Sequence, residues 1–102
     1  MKLNDSSLFR RQNYIDGAWC DADKGDVIEV DNPATGEIIG TVPRAGTAET
    51  RRAIEAANRA LGPWRARTAG ERAKIMRAWF NLMHDNVDDL ALIMTLEQGK
   101  PL

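Results

Sequence analysis

The sequence holds one cysteine, Cys20, and one histidine, His84. A lone thiol cannot form an internal disulfide, and one thiol with one imidazole excludes a Cys/His zinc cluster. Long apolar runs are missing as well. The longest, Leu90-Ala91-Leu92-Ile93-Met94, falls far short of the roughly 20 residues a membrane helix needs. The first thirty residues contain no apolar stretch of the signal-peptide kind. With unpaired Cys20, this predicts a reducing, cytoplasmic location. Neither sign of charge dominates: 14 Lys and Arg stand against 15 Asp and Glu, a net charge of −1. Overall charge therefore gives no reason to bind nucleic acid or an acidic membrane surface. No G-x-G-x-x-G or G-x-x-x-x-G-K-S/T loop occurs, so the glycines build no phosphate cradle.

What is present is an ordinary globular composition, 43% hydrophobic and 28% charged over 102 residues, enough for at most one domain. The character of the chain changes near residue 46. Residues 1–46 carry 5 basic and 8 acidic groups and are rich in Gly, Pro, Asp and β-branched residues. Residues 47–102 carry 9 basic and 7 acidic groups and are rich in helix formers. There is no repeat and no low-complexity linker.

Residues 1–46 predict an arm of short antiparallel strands, a meander of three or four. Asn13-Tyr14-Ile15 and Ala18-Trp19-Cys20 flank Asp16-Gly17, a pair suited to a type I′ hairpin. Asp23-Lys24-Gly25-Asp26 is a second turn. Val27-Ile28-Glu29-Val30 is a strand, Asn32-Pro33-Ala34-Thr35-Gly36-Glu37 a third turn, and Ile38-Ile39-Gly40-Thr41-Val42 a strand limited by Pro43.

Residues 47–102 predict three helices. The first starts near Thr47 as N-cap and carries Ala53, Ile54, Ala57, Ala60, Leu61 and Trp64 on one stripe, with Gly62-Pro63 offering a stop before Trp64. Thr68-Ala69-Gly70-Glu71 is a capping box. The helix behind it presents Ile75, Met76, Trp79, Phe80 and Met83 at helical spacing and ends near His84. Asp85 or Asn86 caps a third helix with apolar Leu90, Ile93, Met94 and Leu96. Gly99 terminates it and Pro101 blocks continuation. These greasy faces exceed what a short meander can cover. A chain of this size buries only about 60–65% of its unfolded surface. The expectation is an incomplete domain.

Few residues offer chemistry. Cys20 lies among Asp16, Asp21 and Asp23, which disfavour a thiolate, and has no histidine nearby in sequence, so an incidental role is expected. His84 in a last helical turn reads as a surface or capping residue. Arg51, Arg52, Arg59, Arg65, Arg67, Arg72, Lys74 and Arg77 lie away from the aromatic stripe, which favours a solvated or ion-paired face over a nucleic-acid surface. Glu97 stands out because an anion in the last turn of a helix is unfavourable unless a cation compensates. Lys100 would serve, and so would a metal ion with hard oxygen ligands.

Three segments in order resemble the opening region of the aldehyde dehydrogenase superfamily. They are Ile15-Asp16-Gly17-Ala18-Trp19, then Asn32 through Pro43, then Thr95-Leu96-Glu97-Gln98-Gly99-Lys100-Pro101-Leu102. Leu3-Asn4-Asp5-Ser6-Ser7-Leu8-Phe9-Arg10 is most similar to the bacterial succinate-semialdehyde dehydrogenase branch. The resemblance implies an α/β fold: a β-meander and three helices belonging to a Rossmann-like NAD(P)-binding domain. Residues 1–46 would be the N-terminal arm and 47–102 a helical segment packed on that domain. The implied full enzyme oxidises succinate semialdehyde to succinate with NADP or NAD. A cysteine thiolate attacks the aldehyde, hydride passes to nicotinamide, and a glutamate-activated water releases the acid. All of those residues would lie beyond Leu102, so neither catalytic residues nor bound cofactor are expected on this stretch. The implied partners are the remainder of the chain and further subunits in a dimer or tetramer, with no nucleic acid and no membrane. Members of the family that bind a monovalent cation use a carboxylate matching Glu97, often Asp there, and a backbone carbonyl matching Asp31. The competing expectation is a self-contained helical module that binds protein or nucleic acid.

Overall fold

A computed structural model describes residues 1–102. A single 3-10 turn, Ser6–Leu8, precedes four strands and three helices. The strands are β1 (Asn13–Ile15), β2 (Ala18–Cys20), β3 (Val27–Asp31) and β4 (Ile38–Pro43). The helices are α1 (Thr47–Ala66), α2 (Ala69–Asp85) and α3 (Val87–Gln98).

All four strands are antiparallel, divided between two separate ribbons, β1–β2 and β3–β4. The Asp16-Gly17 loop closes the first with φ of 53° and 78°, the two positive values that a type I′ turn demands. β2 does not continue the sheet into β3. Residues 21–26 turn back on themselves instead, with the Gly25 amide donating to the Ala22 carbonyl at 2.9 Å. In the second ribbon a register irregularity at Val30/Asp31 leads into the Asn32-Pro33 turn. That turn is tightly built: the Asn32 side chain accepts from the Ala34 amide at 2.9 Å, and its carbonyl accepts from Gly36 at 2.7 Å. A two-stranded ribbon is marginal on its own in water, so both depend on neighbours.

The helix boundaries show which local signals prevail. Thr47 is the first helical residue rather than the cap. Gly46 takes the N-cap position, and its amide donates to the Glu49 carboxylate one turn on. α1 does not stop at Gly62-Pro63 but runs to Ala66. Pro63 leaves the Arg59 carbonyl without its helical donor. Both residues are exposed, so water can take that carbonyl. The capping box of α2 is present in both directions: Glu71 amide to Thr68 hydroxyl at 3.2 Å, Thr68 amide to Glu71 carboxylate at 3.1 Å. Asn86 is the residue before α3, but its side chain serves the helix behind it, donating to the Leu82 carbonyl at 2.8 Å. Gly99 ends α3 in the left-handed conformation, φ 81°.

The molecule is open. Its accessible surface is 8013 Å2, against about 5,700 Å2 for a compact monomer of this mass. Its radius of gyration is 16.5 Å, against about 13 Å for a packed domain. Five residues are buried, and only Ala22 and Pro43 among them are apolar. No helix is long and apolar enough to cross a membrane.

Candidate functional site

The largest chemical feature is an apolar surface carried by α2 and α3. Helical spacing aligns Ile75, Met76, Trp79, Phe80 and Met83 on α2, as the sequence predicts, and the structure leaves all five in solvent, with Trp79 57% and Phe80 48% exposed. α2 packs on α3 and leaves Leu90 and Ile93 half-buried. Between these helices and the last residues runs an open groove of about 440 Å3, lined by Phe80, Met83, Val87, Leu90, Met94 and Leu102. Burying one such side chain contributes roughly 1.5–3 kcal/mol once something covers it.

A second feature is where the end of α3 meets the Asn32-Pro33 turn. A Cβ at Gly99 would stand 3.4 Å from the Pro33 ring. The positive φ at Gly99 thus turns the chain while letting the turn approach closely. Glu97 is exposed in this last turn, among carbonyls with no helical donor. The chain's two ion pairs are Arg52–Asp23 and Arg59–Asp16, so Lys100 does not neutralise Glu97. No three His, Cys, Asp or Glu side chains converge anywhere. A cation held here would therefore rely on one carboxylate and on backbone oxygens.

The remaining candidates are kept apart. Cys20 is half-buried in the first ribbon and donates to the Asn13 carbonyl at 3.5 Å. His84 lies over the far end of α2, its ring 6.0 Å from that of Phe80. Three of the basic residues have contacts within the chain. Arg52 grips Asp23 with two hydrogen bonds of 3.0 and 2.7 Å, Arg59 reaches Asp16 at 3.2 Å, and Arg77 stacks 5.0 Å from the Phe80 ring centre. The Arg52 bonds hold the Asp23 carboxyl below the usual carboxylate range and raise Arg52 in turn. The two ion pairs tie α1 to the hairpin loop and to the turn between the ribbons.

Three polar residues are buried, Asn32, Glu49 and Asp89, and only Asn32 was singled out in the sequence. Asn32 had a signal, the Asn-Pro turn. Glu49 had half of one, since a capping box with glycine at the cap lacks the Ser or Thr that marks it. Asp89 had none. Its carboxylate accepts the amides of Asn4 at 2.9 Å and Asp5 at 2.8 Å, more than eighty positions away.

The model of the aldehyde dehydrogenase family matches residues 19–102. The chain belongs to the aldehyde dehydrogenase family. It is 67% identical over its whole length to a glutarate-semialdehyde dehydrogenase of Pseudomonas aeruginosa. It is 64% identical, again over its whole length, to the succinate-semialdehyde dehydrogenase [NADP(+)] of Escherichia coli. In each case it spans 21% of the relative. The succinate-semialdehyde dehydrogenase crystal structure from Burkholderia pseudomallei superposes with a TM-score of 0.94 at 57% identity, over 99% of this chain and 21% of that one. Two ribbons followed by three helices are thus the α/β opening region of an aldehyde dehydrogenase fold, as the sequence resemblance implies.

Proposed function

We propose that this chain is the amino-terminal portion of an NAD(P)-dependent aldehyde dehydrogenase that oxidises succinate semialdehyde to succinate. The observation that carries the proposal is a match along the entire chain that accounts for only 21% of the relatives. The bare apolar surface of α2 and α3 supports it, because the remaining four-fifths of such an enzyme would supply the cover. In this reading residues 1–46 are an arm and residues 47–102 pack on the cofactor-binding domain. Subunits then assemble into a dimer or tetramer in the cytoplasm. The P. aeruginosa relative favours glutarate semialdehyde as a second substrate, one methylene longer.

In this reading the dinucleotide site lies outside residues 1–102, whose glycines serve turns and a helix end. Gly17, Gly25 and Gly36 have positive φ because each closes a turn, and Gly99 because it ends α3. This reading assigns no step of the oxidation to residues 1–102 and does not take Cys20 as its nucleophile. The part assigned to this stretch is positional. It presents the α2–α3 face, and it builds the junction at Glu97, where one carboxylate and nearby carbonyls would hold a monovalent cation and neutralise the negative helix end. Asp31, the last residue of β3, would contribute its carbonyl from the turn side.

The test is an assay of the full-length protein with each semialdehyde and with NADP or NAD, following absorbance of the reduced cofactor. Turnover of succinate semialdehyde is expected, with glutarate semialdehyde as the measured alternative. Failure to oxidise either would overturn the reading. Turnover by residues 1–102 alone would overturn the claim that the chemistry lies elsewhere.

A further inference from the structure

Residues 1–9 form no strand and take part in no ladder. Their fold is local. The Asp5 side chain accepts from the Ser7 amide at 2.9 Å and the Ser7 hydroxyl at 2.6 Å, and the Leu8 amide donates to the Asp5 carbonyl at 3.2 Å, so the segment is wound into one compact turn. Apart from the adjoining Arg10 amide, which donates to the Leu8 carbonyl at 3.0 Å, two hydrogen bonds join this turn to the rest of residues 1–102, and both end on one carboxylate: Asn4 and Asp5 donate their amides to the two oxygens of Asp89. Asp89 is 5% exposed, in the first turn of α3. At the other end of the segment, the Phe9 ring lies over Gly40 of β4. There a Cβ would be only 3.0 Å from two ring carbons. The segment therefore bridges α3 and the second ribbon, with a polar anchor at one end and an aromatic one at the other.

We propose that residues 1–9 are a releasable strap and that Asp89 is its clasp. A single carboxylate carries both long-range hydrogen bonds between strap and body. A change at this one side chain therefore frees the segment without breaking any helix or sheet hydrogen bond. Release lifts Phe9 from Gly40 and uncovers both the first turn of α3 and the middle of β4. The proposal rests on this geometry and not on the enzymatic reading, so the two can fail separately.

Hydrogen–deuterium exchange on the full-length protein tests it. Asp89→Asn keeps the shape but turns one acceptor into a donor facing an amide. A peptide covering residues 2–9 is expected to exchange about tenfold faster or more in this variant, while peptides from α3 beyond its first turn, residues 91–98, keep their wild-type rate. A variant lacking residues 1–5 provides the complementary measurement and is expected to leave protection at residues 91–98 unchanged. Unaltered exchange at residues 2–9 in Asp89→Asn would overturn the clasp. Loss of protection at residues 91–98 of α3 on removing residues 1–5 would overturn release, because the segment would then be part of the body.

Discussion

At the scale of single residues, charged side chains here join segments that are distant in sequence. Asp23 sits in the turn between the ribbons and Arg52 on α1. The carboxyl is held low chiefly by hydrogen bonds from the guanidinium. The contact is therefore fully present above the ordinary Asp value near 3.8, and is lost as pH falls through the lower folded value. An NMR titration should show Asp23 protonating at lower pH than an exposed aspartate, and Arg52→Gln should return it to the ordinary range. Glu97 makes a different demand. If its carboxylate helps to hold an alkali cation, potassium chloride should raise the melting temperature of the full-length protein above that in choline chloride, by mass action on the folded state. Glu97→Gln should abolish the difference. Equal responses of wild type and variant would remove the ion from this junction.

At the scale of elements, α1 shows how far a local signal can be trusted. Proline in a helix interior destabilises it by about 3 kcal/mol, yet Pro63 lies within α1. Pro63→Ala restores a donor to the Arg59 carbonyl and should raise stability by about 1–3 kcal/mol, measured by urea unfolding. The elements themselves were readable because their signals are local. Asp16-Gly17 sets its own hairpin, Thr68 and Glu71 sit three residues apart, and Gly99 stops α3 by its own φ. What the sequence hid depends on partners far along the chain. Nothing near Asp89 announces Asn4 and Asp5, and nothing near Gly99 announces Pro33. Glu97 was legible as an anomaly of charge at a helix end. Its pairing with the Asp31 carbonyl came only from the family resemblance, and the approach of Gly99 to Pro33 follows from how α3 packs. The split into two ribbons was likewise invisible, because strand propensity says which residues extend but not which extended segments pair.

At the scale of the whole molecule, excess surface is the dominant property. About 2,300 Å2 more is exposed than a compact monomer of this mass would show. That is more than both sides of a standard protein interface together. Phe80→Ala measures whether the surface is used. If the rest of the protein covers the ring, its cost should be about 3–5 kcal/mol in the full-length protein and close to zero in residues 1–102 alone. Equilibrium unfolding of both reports the difference, and equal small values would mean that the α2 face stays in water. The bare helices also carry a consequence for biosynthesis. If 102 residues are 21% of the polypeptide, about 380 remain to be made after them. At about 5–20 residues per second, the nascent segment leaves the ribosome roughly 20–80 s before its covering partners are complete. During that interval Trp79 and Phe80 would stay exposed as they are in residues 1–102, and the second helix would be the stretch most prone to premature association.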